Sequence, residues 1–209
     1  IPPKNQEDLV VKNFSKFIED SKVKWITYLS ATSVYGDHKG EWVDERSDTK
    51  PTSPKGVARL KAENLWISKK KSKNLPVQIF RLSGIYSNEK NILVRLKLGA
   101  VRLVNKKDHY FSRIHVEDIA NILFESLSKF KSGEIYNLAD DKPSSSEELT
   151  LHGAKLLNIK NVEKIEANEL ESEMLKTFYK DSKKVSNKKI KKYFSYNLKF
   201  PTYVEGLDH

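Results

Sequence analysis

The chain has 209 residues, with 38 Lys plus Arg against 28 Asp plus Glu, a formal charge of +10, 38% hydrophobic residues and no cysteine. That length suits one globular domain or two small lobes, and the lack of cysteine excludes a disulfide scaffold, a thiolate metal site and a cysteine nucleophile. No apolar run reaches the ~18 residues of a membrane span and Ile1-Pro2-Pro3-Lys4 lacks the shape of a signal peptide, so a soluble, cytoplasmic protein is expected.

Val10, Phe14, Phe17 and Ile18 recur at helical spacing, and Trp25-Ile26-Thr27-Tyr28-Leu29-Ser30 follows as a short buried strand. Residues 31 to 52 carry Gly36, Gly40 and Pro51 without periodicity and are expected to form a long loop. Ser53-Pro54 supplies an N-cap followed by proline at the first helical position, which predicts a helix to Lys71. Pro76 then opens a second buried strand over Val77 to Leu82, and a short helix over 90 to 98 stops at Gly99.

Val116, Ile119, Ala120, Leu123 and Leu127 mark one face of a further helix, and Glu134 to Ala139 forms a third buried strand. Ser145 with Glu148 has the spacing of a capping box before another helix. Beyond Leu157 the pattern predicts a short helix from Glu169 to Thr177, another from Ser186 to Phe194 and an irregular end through Pro201-Thr202-Tyr203. Strands alternating with helices predict an α/β fold with a mostly parallel sheet, whose ligands bind beyond the carboxyl ends of the strands.

Only six of the cations are arginine, and the lysine runs 69 to 71 and 188 to 189 lack interleaved aromatics. A solvated lysine surface is therefore expected rather than a nucleic-acid site. Thr32, Ser33 and Tyr35 fall where the first strand ends and are pocket candidates; Tyr35 packed under its loop is the other option. His115, inside an apolar segment before a helix, is expected to make a structural hydrogen bond, and His38 and His109 are assigned to loops. No ligand spacing around Asp37-His38 indicates a metal, and Asp140-Asp141 is expected to be a solvated turn.

Five segments in order carry a family resemblance: Tyr28-Leu29-Ser30-Ala31-Thr32-Ser33-Val34-Tyr35-Gly36-Asp37; Arg81-Leu82-Ser83-Gly84-Ile85-Tyr86; Arg113-Ile114-His115-Val116-Glu117-Asp118-Ile119-Ala120; Ile135 to Asp140; and Pro201 to Leu207. Together they resemble the extended short-chain dehydrogenase/reductase family, the NAD-dependent sugar-nucleotide epimerases and dehydratases, and within it an atypical, YeeZ-like branch. The resemblance implies a Rossmann-like domain over 1 to 139 with an excursion at 84 to 113, and a C-terminal substrate lobe over 140 to 209. It also implies NAD or NADP as cofactor, a sugar nucleotide or related alcohol as substrate, and a homodimer paired through the helices at 6 to 21 and 53 to 71.

The chain departs from the family in two respects. It has no glycine-rich turn for the cofactor pyrophosphate, and its first helix resembles the family's fourth, so that roughly 75 residues of the first half-sheet are expected upstream at about 30 residues per strand-helix-strand unit. The family's catalytic Ser/Thr, Tyr and Lys positions hold Ala31, Lys55 and Arg59. Lys55 is a base only if burial lowers its pKa, and Arg59 stays protonated.

The resemblance therefore assigns catalysis to Lys55, Tyr35, Thr32 and Ser33, with Tyr86 as a further replacement for the missing tyrosine. It assigns cofactor contact to Arg59, Ser30, Leu82 and Ile85, and substrate contact to Tyr86, Arg95 and Arg113. Gly84 and Phe111 stand where sugar-nucleotide enzymes of the family often carry Asn and Arg. A non-catalytic cofactor-binding or scaffold protein of the same fold is the alternative, and a nucleic-acid-associated module a third.

Overall fold

A computed structural model describes residues 2–3 and 6–208; Ile1 and Lys4, part of the start inspected for a leader, lie outside the described residues. The first half runs α1 (Leu9–Asp20), β1 (Ile26–Ala31), a 3-10 turn at Thr32–Tyr35, β2 (Trp42–Val43), α2 (Pro54–Lys73), β3 (Val77–Leu82), β4 (Gly84–Tyr86), α3 (Ile92–Lys97) and β5 (Leu103–Asn105). The second half runs β6 (Arg113–His115), α4 (Val116–Ser128), β7 (Ile135–Leu138), α5 (Ser146–Leu156), β8 (Lys164–Glu166), a 3-10 turn at Ala167–Glu169, α6 (Glu173–Lys180), β9 (Lys184–Val185), α7 (Lys188–Phe194) and α8 (Tyr203–Asp208).

The central sheet has the order β1-β3-β7, all parallel, with Ile26 opposite Val77 and Ile79 opposite Ile135. β3 is buried along its whole length, as expected for the middle strand of a parallel sheet covered on both faces. On one face α1 and α2 close over Tyr28, Ala62, Trp66, Val77 and Ile79. On the other, Phe80, Leu82, Ile122, Tyr136 and Leu138 pack beneath α4 and α7. β1 is a sheet edge with no partner on its outer side among the described residues, and it leaves Leu29 37% exposed.

Three further two-stranded parallel pairs, β2-β9, β4-β6 and β5-β8, tie the loops together at the carboxyl end of the sheet. A second apolar cluster joins α3, α5 and α8 through Ile92, Leu96, Ala154, Tyr203 and Leu207. The caps behave as their chemistry requires. Ser53 accepts from Gly56 N ahead of Pro54, and Ser145 and Glu148 form a reciprocal capping box.

Several expectations need correction. The loop at 31 to 52 contains the first 3-10 turn and β2, and the irregular end contains α8. The helix expected at 169 to 177 runs from Glu173 to Lys180, and the one expected from Ser186 begins at Lys188. On α4 the buried face is Asp118, Ile119, Ile122 and Ser126, while Val116 and Leu127 are exposed. Asp118 is drawn inward because its carboxylate accepts hydrogen bonds from Tyr196 Oη, Lys199 N and Phe200 N. The stretch 140 to 209 does not all lie in the lobe, since Ile190, Phe194 and Leu198 belong to the main core.

Among the described residues no helix is long and apolar enough to cross a membrane.

Candidate active-site cleft

The cleft lies at the carboxyl end of the sheet and has two compartments. One, of about 530 Å³, is lined by Thr32, Ser33, Ser53, Lys55, Asp181 and Lys183 among others. The second, of about 670 Å³, is lined among others by Ile85, Tyr86, Lys90, Arg95, Arg102 and Arg113. Gly84, Phe111 and Phe178 line both, so the compartments adjoin.

The smaller compartment is assembled by a close helix approach. A Cβ on Gly56 would lie 2.7 Å from Ser33 O, so glycine lets the first turn of α2 press against the turn that follows β1. This brings Lys55 to the same wall as Thr32 and Ser33, although the Lys55 side chain is exposed. One turn further along α2, Arg59 donates from Nη1 to Leu29 O at 2.6 Å and is held beside the edge strand.

Tyr35 is not on this wall. Its ring is fully buried, its Oη donates to Asn137 Oδ1 at 2.7 Å, and the Arg81 guanidinium lies 4.9 Å from its centroid. Burial raises its phenol pKa. Arg81 in turn pairs with Glu63 through Nε and Nη2 at 2.7 to 3.2 Å. This group is a buried polar floor beneath the cleft.

In the larger compartment Arg113 dominates. It is 4% exposed, donates from Nη1 to Ser144 Oγ at 2.8 Å, and stacks 3.7 Å from the Phe111 centroid and 5.4 Å from that of Tyr203. Among the described residues its Nη2 has no hydrogen-bond partner. Phe111 thus acts as the shelf that orients Arg113. Tyr86 faces Thr202 O at 3.4 Å, and burial raises its phenol pKa, which suits it poorly to proton transfer. Arg95 is exposed at the rim and reaches Ala100 O at 3.3 Å.

Asp140 corrects the expectation of a solvated turn. It is 1% exposed, and its backbone N donates to Arg113 O at 2.6 Å. Burial pushes its carboxyl up to about 7, while burial brings Arg113 down to about 10, so desolvation outweighs their mutual attraction. Only Asp141 is solvated, paired with Lys191 at 2.9 Å.

Because the folded-state value of Asp140 lies above the unfolded ~3.9, the folded protein holds more protons, and this group's contribution to stability falls as pH rises from about 4 to 7. Asp140→Asn should gain on the parent over that range by up to about 4 kcal/mol at pH 8. Urea unfolding of both proteins at pH 5 and pH 8 checks this; an unchanged difference would contradict it.

Three histidines, His38, His109 and His115, are held by local contacts. His115 accepts from Glu117 N at the start of α4 and packs 4.0 Å from the Phe200 centroid. His38 meets Tyr35 O and Asp48 O, both at 3.2 Å. His109, in its expected loop, is buried among Phe111, Phe178 and Tyr179. No group of three or more potential metal-ligating side chains occurs among the described residues. Lys183 was missed by sequence reasoning, since it lies in no motif, and Asp140, although it ends the segment Ile135 to Asp140, was expected in solvent; only the fold buries them.

Residues 9–139 match the NAD dependent epimerase/dehydratase family. A conserved protein of unknown function from Silicibacter pomeroyi is 34% identical with a TM-score of 0.93, the match covering 100% of this chain and 74% of that one. UDP-glucuronic acid 4-epimerase from Bacillus cereus, in complex with UDP-glucuronic acid and NAD, is 19% identical with a TM-score of 0.79 over 96% of this chain and 64% of its own. dTDP-glucose 4,6-dehydratase from Bacillus anthracis, in complex with NAD, is 21% identical with a TM-score of 0.74 over 95% of this chain and 62% of its own. The chain thus spans less than two thirds of either enzyme, and these two likenesses establish the fold alone. No curated protein sequence matches it.

Proposed function

The chain belongs to the NAD dependent epimerase/dehydratase family, and on that premise we propose that it binds a nicotinamide cofactor and a sugar nucleotide or related alcohol or carbonyl compound, and moves hydride between them. The observation that carries this is the buried Arg113 Nη2, without a partner among the described residues, in a compartment continuous with one lined by Thr32, Ser33 and Lys55.

The larger compartment takes the anionic part of the substrate. A diphosphate or carboxylate supplies the acceptor that Arg113 lacks, with Lys90, Arg95 and Arg102 at the rim. The smaller compartment takes the reacting carbon, whose oxygen is held by the Thr32 or Ser33 hydroxyl and the Lys55 ammonium. Tyr35, sealed by Asn137, has no part in this arrangement.

The residues present fit the nicotinamide-ribose end of the cofactor. Ser30 and Ser83 bury hydroxyls without partners among the described residues at the carboxyl ends of β1 and β3, Arg59 offers further donors to ribose oxygens, and Ile85 contributes exposed apolar surface, whereas Leu82, assigned to the cofactor from the resemblance, is packed in the main core. When bound, the nicotinamide ring supplies the hydride acceptor or donor. The pyrophosphate-binding glycine turn has no counterpart in the 209 residues. The proposed homodimer is supported by Phe14 and Phe17, which α1 presents to solvent.

The test is calorimetric titration with UDP, dTDP and UDP-glucuronate. The parent should bind at least one, and Arg113→Gln should lose about 10- to 100-fold in affinity, as expected when a charge-assisted hydrogen bond is removed. Absence of binding by the parent overturns the substrate class. Ala31 lacks the hydroxyl of the family's catalytic position, which favours a second reading, a cofactor binder without turnover. Binding of NAD and sugar nucleotide without absorbance change at 340 nm, a wavelength that reports nicotinamide reduction, would select it.

A further inference from the structure

Lysine can stand in for the missing tyrosine only if burial lowers its pKa toward working pH. The Lys55 side chain is exposed. Lys183, from the far end of the chain, is buried. It is 9% exposed and lines the same compartment as Thr32, Ser33 and Lys55.

The backbone around Lys183 is clamped from two sides. Lys183 N donates to Tyr110 O at 3.1 Å, Ser182 N donates to Asp37 Oδ1 at 2.8 Å, and Ser182 O accepts from His38 N and Gly40 N, each at 3.0 Å. The next residues form β9 against β2. The side chain is therefore delivered to a fixed place, where Nζ donates to Gly36 O at 2.8 Å and Asp181 Oδ2 stands at 4.0 Å. Asp181 is itself oriented by Thr52, whose Oγ1 donates to Oδ1 at 2.6 Å.

An ammonium has three protons to donate, and Gly36 O accepts one. The titratable groups around it are Asp181 on its own segment, Asp37 on the loop after the 3-10 turn, His109 and Lys106 on the loop before β6, and Lys55 on α2 and Glu173 on α6 across the compartment. Burial lowers the Lys183 pKa, and the two aspartates oppose this without cancelling it.

We infer that Lys183 is the catalytic residue that exchanges a proton with the substrate oxygen in the smaller compartment, with Lys55 and the Thr32 and Ser33 hydroxyls holding that oxygen. This builds on the assignment of the cleft to a sugar nucleotide or related alcohol. In the oxidative direction the substrate O–H breaks and its proton passes to the neutral Lys183 amine. With a nicotinamide cofactor bound, the C–H electron pair would leave as hydride to its oxidised ring and a carbonyl would form. In the reductive direction the Lys183 ammonium returns the proton as hydride arrives from the reduced ring.

The experiment is reductive alkylation of the 209-residue chain with glyceraldehyde and cyanoborohydride, read lysine by lysine by peptide mass spectrometry from pH 6 to 9. Only the neutral amine attacks the aldehyde, so exposed lysines should lose about tenfold in rate per pH unit below ~10. Lys183, whose burial lowers its pKa, should keep more of its rate as the pH falls than the exposed lysines do. UDP-glucuronate with NAD should slow its labelling.

Labelling of Lys183 in step with the surface lysines, or none at all, overturns the inference. Calorimetric binding of both ligands that leaves Lys183 labelling unchanged also overturns it. No calorimetric binding of either ligand overturns the substrate assignment instead, while the pH profile still decides whether Lys183 is the reactive amine of the compartment.

Discussion

Replacing Glu63 by glutamine should lower the unfolding free energy by about 3–5 kcal/mol, the range measured when one partner of a buried ion pair is removed. The two side chains are 2% and 5% exposed and meet in a bidentate arrangement, Arg81 Nη2 to Glu63 Oε2 at 2.7 Å. The glutamine keeps the shape and removes the charge. Arg81 cannot relieve the loss by deprotonating, and among the described residues its Nη1 has no partner within hydrogen-bond geometry.

The damage also spreads upward. Arg81 lies over Tyr35, Tyr35 bonds to Asn137, and Asn137 N donates to Glu45 Oε1 at 2.8 Å, so one charge anchors the floor beneath the cleft. Urea unfolding with an unchanged slope and a lower midpoint is the expected result. A loss below about 1 kcal/mol, the level of an exposed pair, would show that the pair does not carry this load. Replacing both residues by leucine should cost less than the single change, because no charge is then left stranded.

The second large effect is expected at Gly36. Its φ of +71° and ψ of −148° lie in a region open essentially to glycine alone. A Cβ there would stand 1.8 Å from Lys50 O and 2.7 Å from Lys50 C, both backbone atoms that cannot swing aside. Gly36→Ala should therefore cost at least the ~1–3 kcal/mol of the strained backbone, with the displacement of the bridge to Lys50 added. Denaturant unfolding measures the cost, and a variant as stable as the parent would contradict the geometry. Because Gly36 O is the acceptor for Lys183 Nζ, a folded Gly36→Ala protein should also show altered aldehyde reactivity at Lys183.

Much of this architecture is written in local signals. Ser53 before Pro54, Pro76 before an apolar run, and Ser145 with Glu148 each act within a few residues, so α2, β3 and α5 begin where their chemistry predicts. β2, β4, β5, β6, β8 and β9 carry two or three residues each and exist only because distant segments meet, Trp42 with Lys184 and Leu103 with Lys164. No window of sequence contains that information.

The same holds for the cleft. Thr32, Ser33, Lys55 and Arg113 could be named from their positions in motifs. The burial of Asp140 and Lys183 follows from tertiary packing, and each sits among polar neighbours that, read alone, suggest solvent. On α4, Val116 and Leu127 have the right spacing for a core face, but Asp118 and Ser126 take that face because hydrogen bonds make their burial affordable.

Gly84, Phe111 and Phe178 belong to both compartments of the cleft. A substitution at any of them, selected for its effect on the anionic end of a ligand, also reshapes the wall at the reacting end. Ligand preference in this chain therefore has little freedom to drift piecemeal. Binding and chemistry must be altered together, through paired changes on α6 and the segment before β6, or else at positions such as Arg95 that only one compartment uses.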